Sequence, residues 1–326
     1  MDQEEKLKAL EVYFNLMSFN GGAYIFQIAS KMNIFLQFKN QSLSVTEMAT
    51  ALSMQERPLS ALLECLVAMG LLQRQDGKYY PSPTLQFLHG NYQNLSSDYW
   101  EHLPTLLKTG IPYKKMDAVE NSESEYKTQV KSLEWMMRPS AMLAAQMLGI
   151  GKSINGAKIL DVGAGSAVWS LAMLQQDSTA SATALDWPAV LEVANESAKI
   201  QNLSGRFKTI AGNYHQVEIK EQYDLIILGN VTHLESDVGN INLLSRLKNY
   251  LNPQGRLIIF DVFRGQKQGD LSAALYEMGL VIRTTQGKVY GKEELSHFLH
   301  QSGYSKTNFM PIEITPYTMG MLIAEV

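Results

Sequence analysis

"KILDVGAGSAVWSLAML", residues 158–174, is an apolar run that breaks into small residues and then resumes. Lys158–Val162 reads as a buried strand, 163–167 as a tight turn and 168–174 as the start of a helix. A glycine-rich turn between strand and helix lets a ligand come close to the main chain and aims free N–H groups at it. Any tight strand-to-helix turn can use two glycines, so this stretch alone leaves a plain structural turn open beside a ligand site.

Around that run the pattern is regular. From Ala157 onward strands and helices alternate, with further strands read at 181–185, 206–210, 223–229 and 256–262. Alternation of this kind implies a mostly parallel sheet with helices on both faces. The tail offers two more strands, "NFMPIEIT" and "MGMLIAEV", joined by a short turn. That connection is antiparallel, because a parallel crossover needs about a dozen residues or more. The expected fold of residues 155–326 is therefore α/β: a Rossmann-like, mostly parallel sheet closed by an antiparallel C-terminal hairpin.

Residues 1–100 are of a different kind, α-rich with one hairpin. "GGAYIFQIASKMNIFLQF" sets Ala23, Ile25, Phe26, Ile28, Ala29 and Met32 on a broad apolar helical face. "SLSVTEMATALSM" predicts a short helix capped by Ser44, and "ERPLSALLECLVAMGLL" a stronger one ending at Gly70. Asp76-Gly77 is a turn signal between two short extended pieces, which completes a winged-helix order. Charge argues against DNA as its partner. Between Val45 and Gly90 the cations are Arg57, Arg74 and Lys78, opposed by Glu47, Glu56, Glu64 and Asp76. A groove reader needs several cations against phosphate, so the apolar helix at 56–69 is expected to face another subunit instead.

Residues 101–154 read as a helical connector, interrupted by the polar stretch "KKMDAVENSESEYK" and resuming with Met136, Met137, Met142 and Met147. Methionines at this spacing fill an adaptable core and also suit a flexible apolar pocket wall.

Bulk properties narrow the class. The 326 residues suggest two domains, and 45% hydrophobic with 18% charged residues is ordinary for a globular protein. A formal net charge of −4 disfavours nucleic acid. Cys65 is the one cysteine, so no intrachain disulfide or cysteine metal cluster can form, and its apolar setting "LLECLVAM" predicts a small buried core residue. The charged start lacks the apolar segment of a signal peptide, and no apolar stretch nears the roughly 18 residues needed to cross a membrane. A cytoplasmic protein is expected, with no metal.

Successive strand ends carry the candidate ligand groups. "ATALDWPAV" ends its strand in Asp186, whose carboxylate can accept from both ribose hydroxyls of an adenosine, with Trp187 placed to cover the adenine face. "IAGNYHQ" places Asn213 to read the adenine edge, beside Gly212 and Tyr214. Asp161 closes the first strand near where a cationic methionine moiety would sit, next to Gly163 and Gly165, and Asn230 follows the fourth strand. Ligands bind at the carboxyl ends of such strands, and this set at successive ends favours a ligand site.

"ILDVGAGSA", "ALDWPAVLEVA", "AGNYHQV", "DLIILGNVTHLESD" and "LNPQGRLIIFDVF" resemble the class I methyltransferase domain. The winged-helix half resembles the subgroup typified by plant caffeic acid and acetylserotonin O-methyltransferases and their bacterial relatives. The resemblance covers nearly the whole chain. It implies a homodimer formed through the N-terminal domain, S-adenosylmethionine as methyl donor with S-adenosylhomocysteine as product, and a small, aromatic or polyketide-like acceptor.

In that family a catalytic histidine follows the fourth strand in a segment close to "LHDWSD"; here "VTHLESD" aligns His233 with the histidine and Asp237 with the final aspartate. Imidazole is suited to take a proton from a hydroxyl as methyl transfer proceeds. His215 is the competing candidate, while His89, His102, His297 and His300 read as helix or surface residues. Several positions depart from the family. Leu234 replaces the aspartate after the histidine, Ala167 a third glycine of the loop, Asn213 a frequent aspartate, and Val289 a glutamate that holds the histidine. Glu235 and Asp237 are the substitutes the sequence offers for that glutamate. The resemblance further implies an acceptor pocket of Trp100, Met136, Met137, Met142, Tyr276, Met278 and Arg283. O-methylation is the first expectation. C-methylation of an activated carbon is the second, since methyl transfer depends mainly on in-line placement. A winged-helix regulator that senses a small ligand is a third.

Overall fold

Asp2 and Ser44 each begin a helix in the same way, with a glutamate three residues on that bonds back to the cap. Asp2 and Glu5 box the start of α1 (Gln3–Lys31), and Ser44 and Glu47 that of α2 (Val45–Leu52). The protein is described here by a computed structural model covering residues 2–39, 41–88, 97–265, 271–314 and 319–326. It forms two units, Met1–Tyr92 and Gln93–Val326. After α2 the first unit continues through α3 (Glu56–Ala68), β1 (Leu72–Gln75), β2 (Lys78–Pro81) and α4 (Pro83–Leu88). Asp76 and Gly77 take φ of 50° and 75° and close the β1–β2 hairpin, as a two-residue turn requires.

Two expectations for this unit need correction. On α1 the chain buries Ala29 and half-buries Ile25 and Phe26, whereas Ala23, Ile28 and Met32 face outward. Cys65 is exposed, because Leu59, Leu63 and Leu66 occupy the inward stripe of α3 and Cys65 lies off it. The wing's Arg74 is paired to Glu64 at 2.8 Å, and that carboxylate also accepts from Tyr79 Oη at 2.6 Å. Its cation is already matched.

The second unit begins with α5 (Ser97–Glu101), α6 (Leu103–Thr109) and α7 (Val119–Met147). The polar stretch at 114–127 does not interrupt a helix as expected. From Val119 it is the first turns of α7, which runs on through Pro139. Then follow β3 (Lys158–Val162), α8 (Val168–Gln176), β4 (Ser181–Asp186), α9 (Pro188–Ile200), β5 (Phe207–Ala211), β6 (Tyr223–Gly229), α10 (Asp237–Lys248) and β7 (Leu251–Val262). α11 (Leu271–Arg283), α12 (Lys292–Gln301), β8 (Lys306–Ile312) and β9 (Met319–Glu325) complete it. The strands form one sheet in the order β5-β4-β3-β6-β7-β9-β8. Its first five members are parallel, and β9 runs antiparallel to both β7 and β8. The turn expected between the tail strands lies at 315–318, outside the described residues. β7 starts five residues before the expected boundary, at Leu251.

Alternation explains the two-sided core. Ile159, Leu225, Ile227, Ile258 and Phe260 pack on one face with α7, α8 and α9. Leu160, Val162, Ile226, Leu228, Leu257 and Ile259 pack on the other with α10 and α12. Because β3 pairs with β4 on one side and β6 on the other, the chain turns opposite ways from it, which opens a crevice at the carboxyl ends beside the loop at 163–167.

Gly229, at the end of β6, is set by close packing. A Cβ there would lie 2.2 Å from Cδ1 of Trp169, which is buried and stacked on Phe260 with centroids 4.2 Å apart. With its ring pinned from behind, Trp169 has no room to yield. Gly229→Ala is expected to destabilise the protein by about 1–3 kcal/mol, read as a lower urea midpoint at unchanged slope. An unaltered midpoint would show that Trp169 moves freely.

Candidate active site

The loop after β3 is held in a shape that few side chains permit. Gly163 and Gly165 have φ of 65° and 57°, and a Cβ on Gly163 would come within 2.6 Å of Val231. Ala167, in place of a third glycine, keeps the same left-handed conformation with φ 61°, at a cost of about 1 kcal/mol. Asp186, from the end of β4, accepts from Gly165 N at 2.8 Å and from Trp187 N at 2.7 Å, so one carboxylate joins loop and strand end. Trp187 donates through Nε1 to Ser122 of α7 at 3.0 Å and packs with Tyr126, Val130, Val190 and Val193. Asn213 Oδ1 accepts from His215 N at 2.9 Å, which fixes the turn after β5 where Gly212 has φ 146°.

Two polar atoms at these strand ends have no hydrogen-bond partner among the described residues. Asp161 is fully buried; Oδ2 accepts from Ser170 N and Oγ, while Oδ1 has no hydrogen-bond partner among the described residues. Nδ2 of Asn230, in a residue with φ 61°, is likewise buried and unpartnered. Burial pushes the Asp161 carboxyl up to about 7 and that of Asp186 up to about 6. An orphan carboxylate oxygen and an orphan amide N–H beside a glycine cradle fit a ligand that brings a cation or hydroxyl donors for the first and an acceptor such as a carboxylate for the second. The groups S-adenosylmethionine would present are of that kind. No cluster of residues able to hold a metal ion occurs among the described residues.

Beyond β6 a short 3-10 turn, Thr232–Leu234, presents His233, which is 5% exposed. Its Nδ1 lies 2.7 Å from Oδ1 of Asp261, a residue 2% exposed near the end of β7. Its Nε2 faces the hydroxyl of Tyr276 on α11 at 3.5 Å, with the two rings edge-on at 89°. Segment 113–117 clamps the far end of α11: Tyr113 N bonds Ile282 O, Met116 N bonds Arg283 O, and Asp117 accepts from Thr285 and Gln286. A buried imidazole with one nitrogen tied to a carboxylate and the other facing only a tyrosine hydroxyl at 3.5 Å can accept a proton there.

Asp261 corrects the sequence reading. Neither Glu235 nor Asp237 holds His233. Asp237 is the first residue of α10, where its carboxylate meets Lys288 Nζ at 2.9 Å and accepts from Tyr290 Oη at 3.1 Å. Glu235 accepts from Tyr214 Oη at 2.7 Å and pairs with His215 Nε2 at 2.9 Å. Burial would raise Glu235, but these two partners outweigh it and hold the carboxyl below its ordinary range. His215, the competing base, is thereby engaged away from His233. Asp261 was findable: "LIIFDVF" places one carboxylate inside an apolar strand, where an acid needs a partner.

The expected acceptor residues divide. Met137 is buried and Met136, Met142 and Tyr276 are half-buried in one apolar cluster with Leu234 and Val289. Trp100 is 40% exposed on α5 and belongs to none of the core clusters. Met278 is half-buried on α11, and Arg283 donates through Nε to Gly279 O of its own helix. His89 lies outside the described residues.

Residues 101–305 match the O-methyltransferase domain. Among curated relatives, 3-hydroxy-5-methyl-1-naphthoate 3-O-methyltransferase of Streptomyces sahachiroi is 25% identical over 274 residues, 80% of this chain and 79% of that one. L-tyrosine C(3)-methyltransferase of Streptomyces lavendulae is 24% identical over 335 aligned positions, 93% of this chain and 90% of that one. In fold, the chain is similar to human N-acetylserotonin methyltransferase, solved in complex with S-adenosylmethionine. The TM-score is 0.72 at 18% identity, covering 100% of this chain and 98% of that one. No helix among the described residues is long and apolar enough to cross a membrane. With the domain matched over more than half its length, this chain belongs to the O-methyltransferase domain family and is an S-adenosylmethionine-dependent methyltransferase.

Proposed function

We propose that the enzyme methylates a hydroxyl of a small, aromatic or polyketide-like metabolite, with His233 as general base. The observation that carries this reading is the buried His233–Asp261 pair, 2.7 Å apart, whose other ring nitrogen faces the Tyr276 hydroxyl at 3.5 Å on the edge of a methionine-containing apolar cluster. S-adenosylmethionine supplies an electrophilic methyl group when bound. The chain's own part is to place the acceptor oxygen in line with that methyl, to exclude water, and to hold at Nε2 the proton that leaves the hydroxyl. Asp161, Gly163, Gly165, Asp186, Trp187, Gly212, Asn213, Tyr214 and Asn230 are the residues proposed to hold the donor. The tyrosine C-methyltransferase relative favours a second reading, methylation of an activated ring carbon, in which the acceptor arrives ionised and placement suffices.

One substitution separates these chemistries. For a hydroxyl acceptor, His233→Gln is expected to cut turnover by about 10²–10⁴-fold, the usual contribution of a positioned base, and to abolish the acid limb of the wild-type pH profile. Assays with 3-hydroxy-5-methyl-1-naphthoate and L-tyrosine as probe acceptors, read by mass spectrometry for a new methyl group, would show it. A loss under tenfold, with an acid limb that follows the acceptor, would favour the carbon reading.

The donor site predicts its own pH dependence. The Asp186 carboxyl, raised to about 6 by burial, is mostly protonated at acid pH in the free protein, and only the ionised form accepts from both ribose hydroxyls. Affinity for S-adenosylhomocysteine should therefore rise about tenfold between pH 5 and pH 7.5. Asp186→Ala should weaken binding at neutral pH by about 1.5–3 kcal/mol, the worth of hydrogen bonds to a charged group. Calorimetry that finds equal affinity in the variant would remove Asp186 from the donor site.

We further infer a homodimer formed through the first unit. Leu7, Leu10, Phe14, Leu16, Met17 and Phe19 are exposed along α1 of the single chain, a far larger apolar surface than a monomer keeps in water. Light scattering is expected to give about twice the 36.5 kDa chain mass; a monomer at micromolar concentration would contradict it.

A further inference from the structure

The carboxylate of Asp261 is saturated with donors. Oδ1 takes His233 Nδ1 at 2.7 Å and Val262 N at 2.8 Å, while Oδ2 takes the Thr232 hydroxyl at 2.7 Å and, more weakly, His233 N at 3.4 Å. A ring nitrogen that faces such an acceptor carries the hydrogen, which leaves the lone pair of the imidazole on Nε2. Thr232 is held in turn. Nδ2 of Asn240, on α10, donates to Thr232 O at 3.0 Å and reaches Glu235 O at 3.5 Å, so one amide spans the carbonyls on either side of His233.

Asn240 is an odd residue for stability alone. It is fully buried, and its Oδ1 has no hydrogen-bond partner among the described residues. An unpaired buried amide oxygen costs free energy that a small apolar residue would not incur. What the amide provides is the fixed separation of two carbonyls, and with it the shape of the turn that carries the ring.

We propose that Thr232 and Asn240 are positioning residues: Asn240 fixes the turn, the Thr232 hydroxyl fixes Asp261, and together they hold His233 in its Nδ1–H tautomer. The proposal rests on the reading of His233 as the base. Without the hydroxyl, Oδ2 keeps only the weak contact with His233 N, and the carboxylate is less firmly held against rotation off the ring. The neutral imidazole then also populates the Nε2–H form, which has no lone pair toward the pocket.

The test reads the tautomer and not turnover, so it stands or fails separately from the assay of His233→Gln. Long-range ¹H–¹⁵N spectra of full-length protein with ¹⁵N-labelled histidine would be recorded at mildly alkaline pH, the His233 signal being assigned by its loss in His233→Gln. Wild type is expected to show one Nδ1–H pattern. Thr232→Val should shift it to a mixture, Thr232→Ser should restore it, and Asn240→Ala should broaden or mix it in the same direction. Thermal unfolding checks that each variant is folded, and where one is not, the other carries the test. Folded Thr232→Val and Asn240→Ala proteins with the wild-type pattern would overturn the proposal. So would failure of both to fold, since that would assign the pair to the stability of the core.

Discussion

The site depends on one carboxylate buried in a sheet. Asp261 stands near the carboxyl end of β7 among Ile258, Ile259, Phe260 and Val262, all of them buried. A charge there is tolerated only with donors on every side, and the chain supplies them from its own backbone and from the turn after the neighbouring strand β6. The same bonds that satisfy the acid therefore lock the turn that presents His233. β6 and β7 are hydrogen-bonded neighbours with Gly229 opposite Phe260, so sheet register sets the distance between acid and imidazole. Displacing either strand would leave a buried carboxylate uncompensated, which makes the constraint a matter of stability as well as chemistry.

A second carboxylate, with β3 and β6 between its strand and β7, plays the corresponding part on the side proposed for the methyl donor. Asp186 ties the loop at 163–167 to the end of β4 through Gly165 N. Its raised pKa and that of Asp161 share a cause, burial without enough positive partners. Asp261 has four donors and Asp161 has an oxygen with none among the described residues. That contrast divides the crevice into a part completed by the protein itself and a part left for a ligand to complete.

Much of this was legible in the sequence. Alternation of β-branched and aliphatic runs with helical periods marked all five parallel strands, and the short turn at the tail settled their antiparallel closure. Asp76-Gly77 and Ser44 gave their turn and cap through local backbone preferences, which tertiary packing seldom overrides. Failures came where a one-dimensional pattern carried a three-dimensional choice. Cys65 sits in an apolar run but off the buried stripe of α3. The residues from Val119 look like a linker because one face of a long helix is polar. Asp237 has the family spacing from His233, yet a 3-10 turn and a new helix start intervene and carry its carboxylate to Lys288. Asp261 is 28 positions from His233, and only strand adjacency brings them together.

Val289 bears on how the proposed base is held. It is buried with Leu234, Tyr276 and Met136, where the plant pattern has a second carboxylate. With no acid on that flank, the orientation of His233 falls to Asp261, and the pocket wall beside it is apolar. A lone orienting carboxylate must then be more tightly fixed than one of a pair. That is the physical setting in which the Thr232 hydroxyl and the Asn240 amide gain importance, since each removes a rotation that a second carboxylate would otherwise oppose. An apolar neighbour beside the imidazole would also keep water from the nitrogen proposed to accept the proton. In the reaction proposed above, a valine at this position would suit an apolar acceptor better than a strongly hydrated one, through desolvation rather than through an added polar contact.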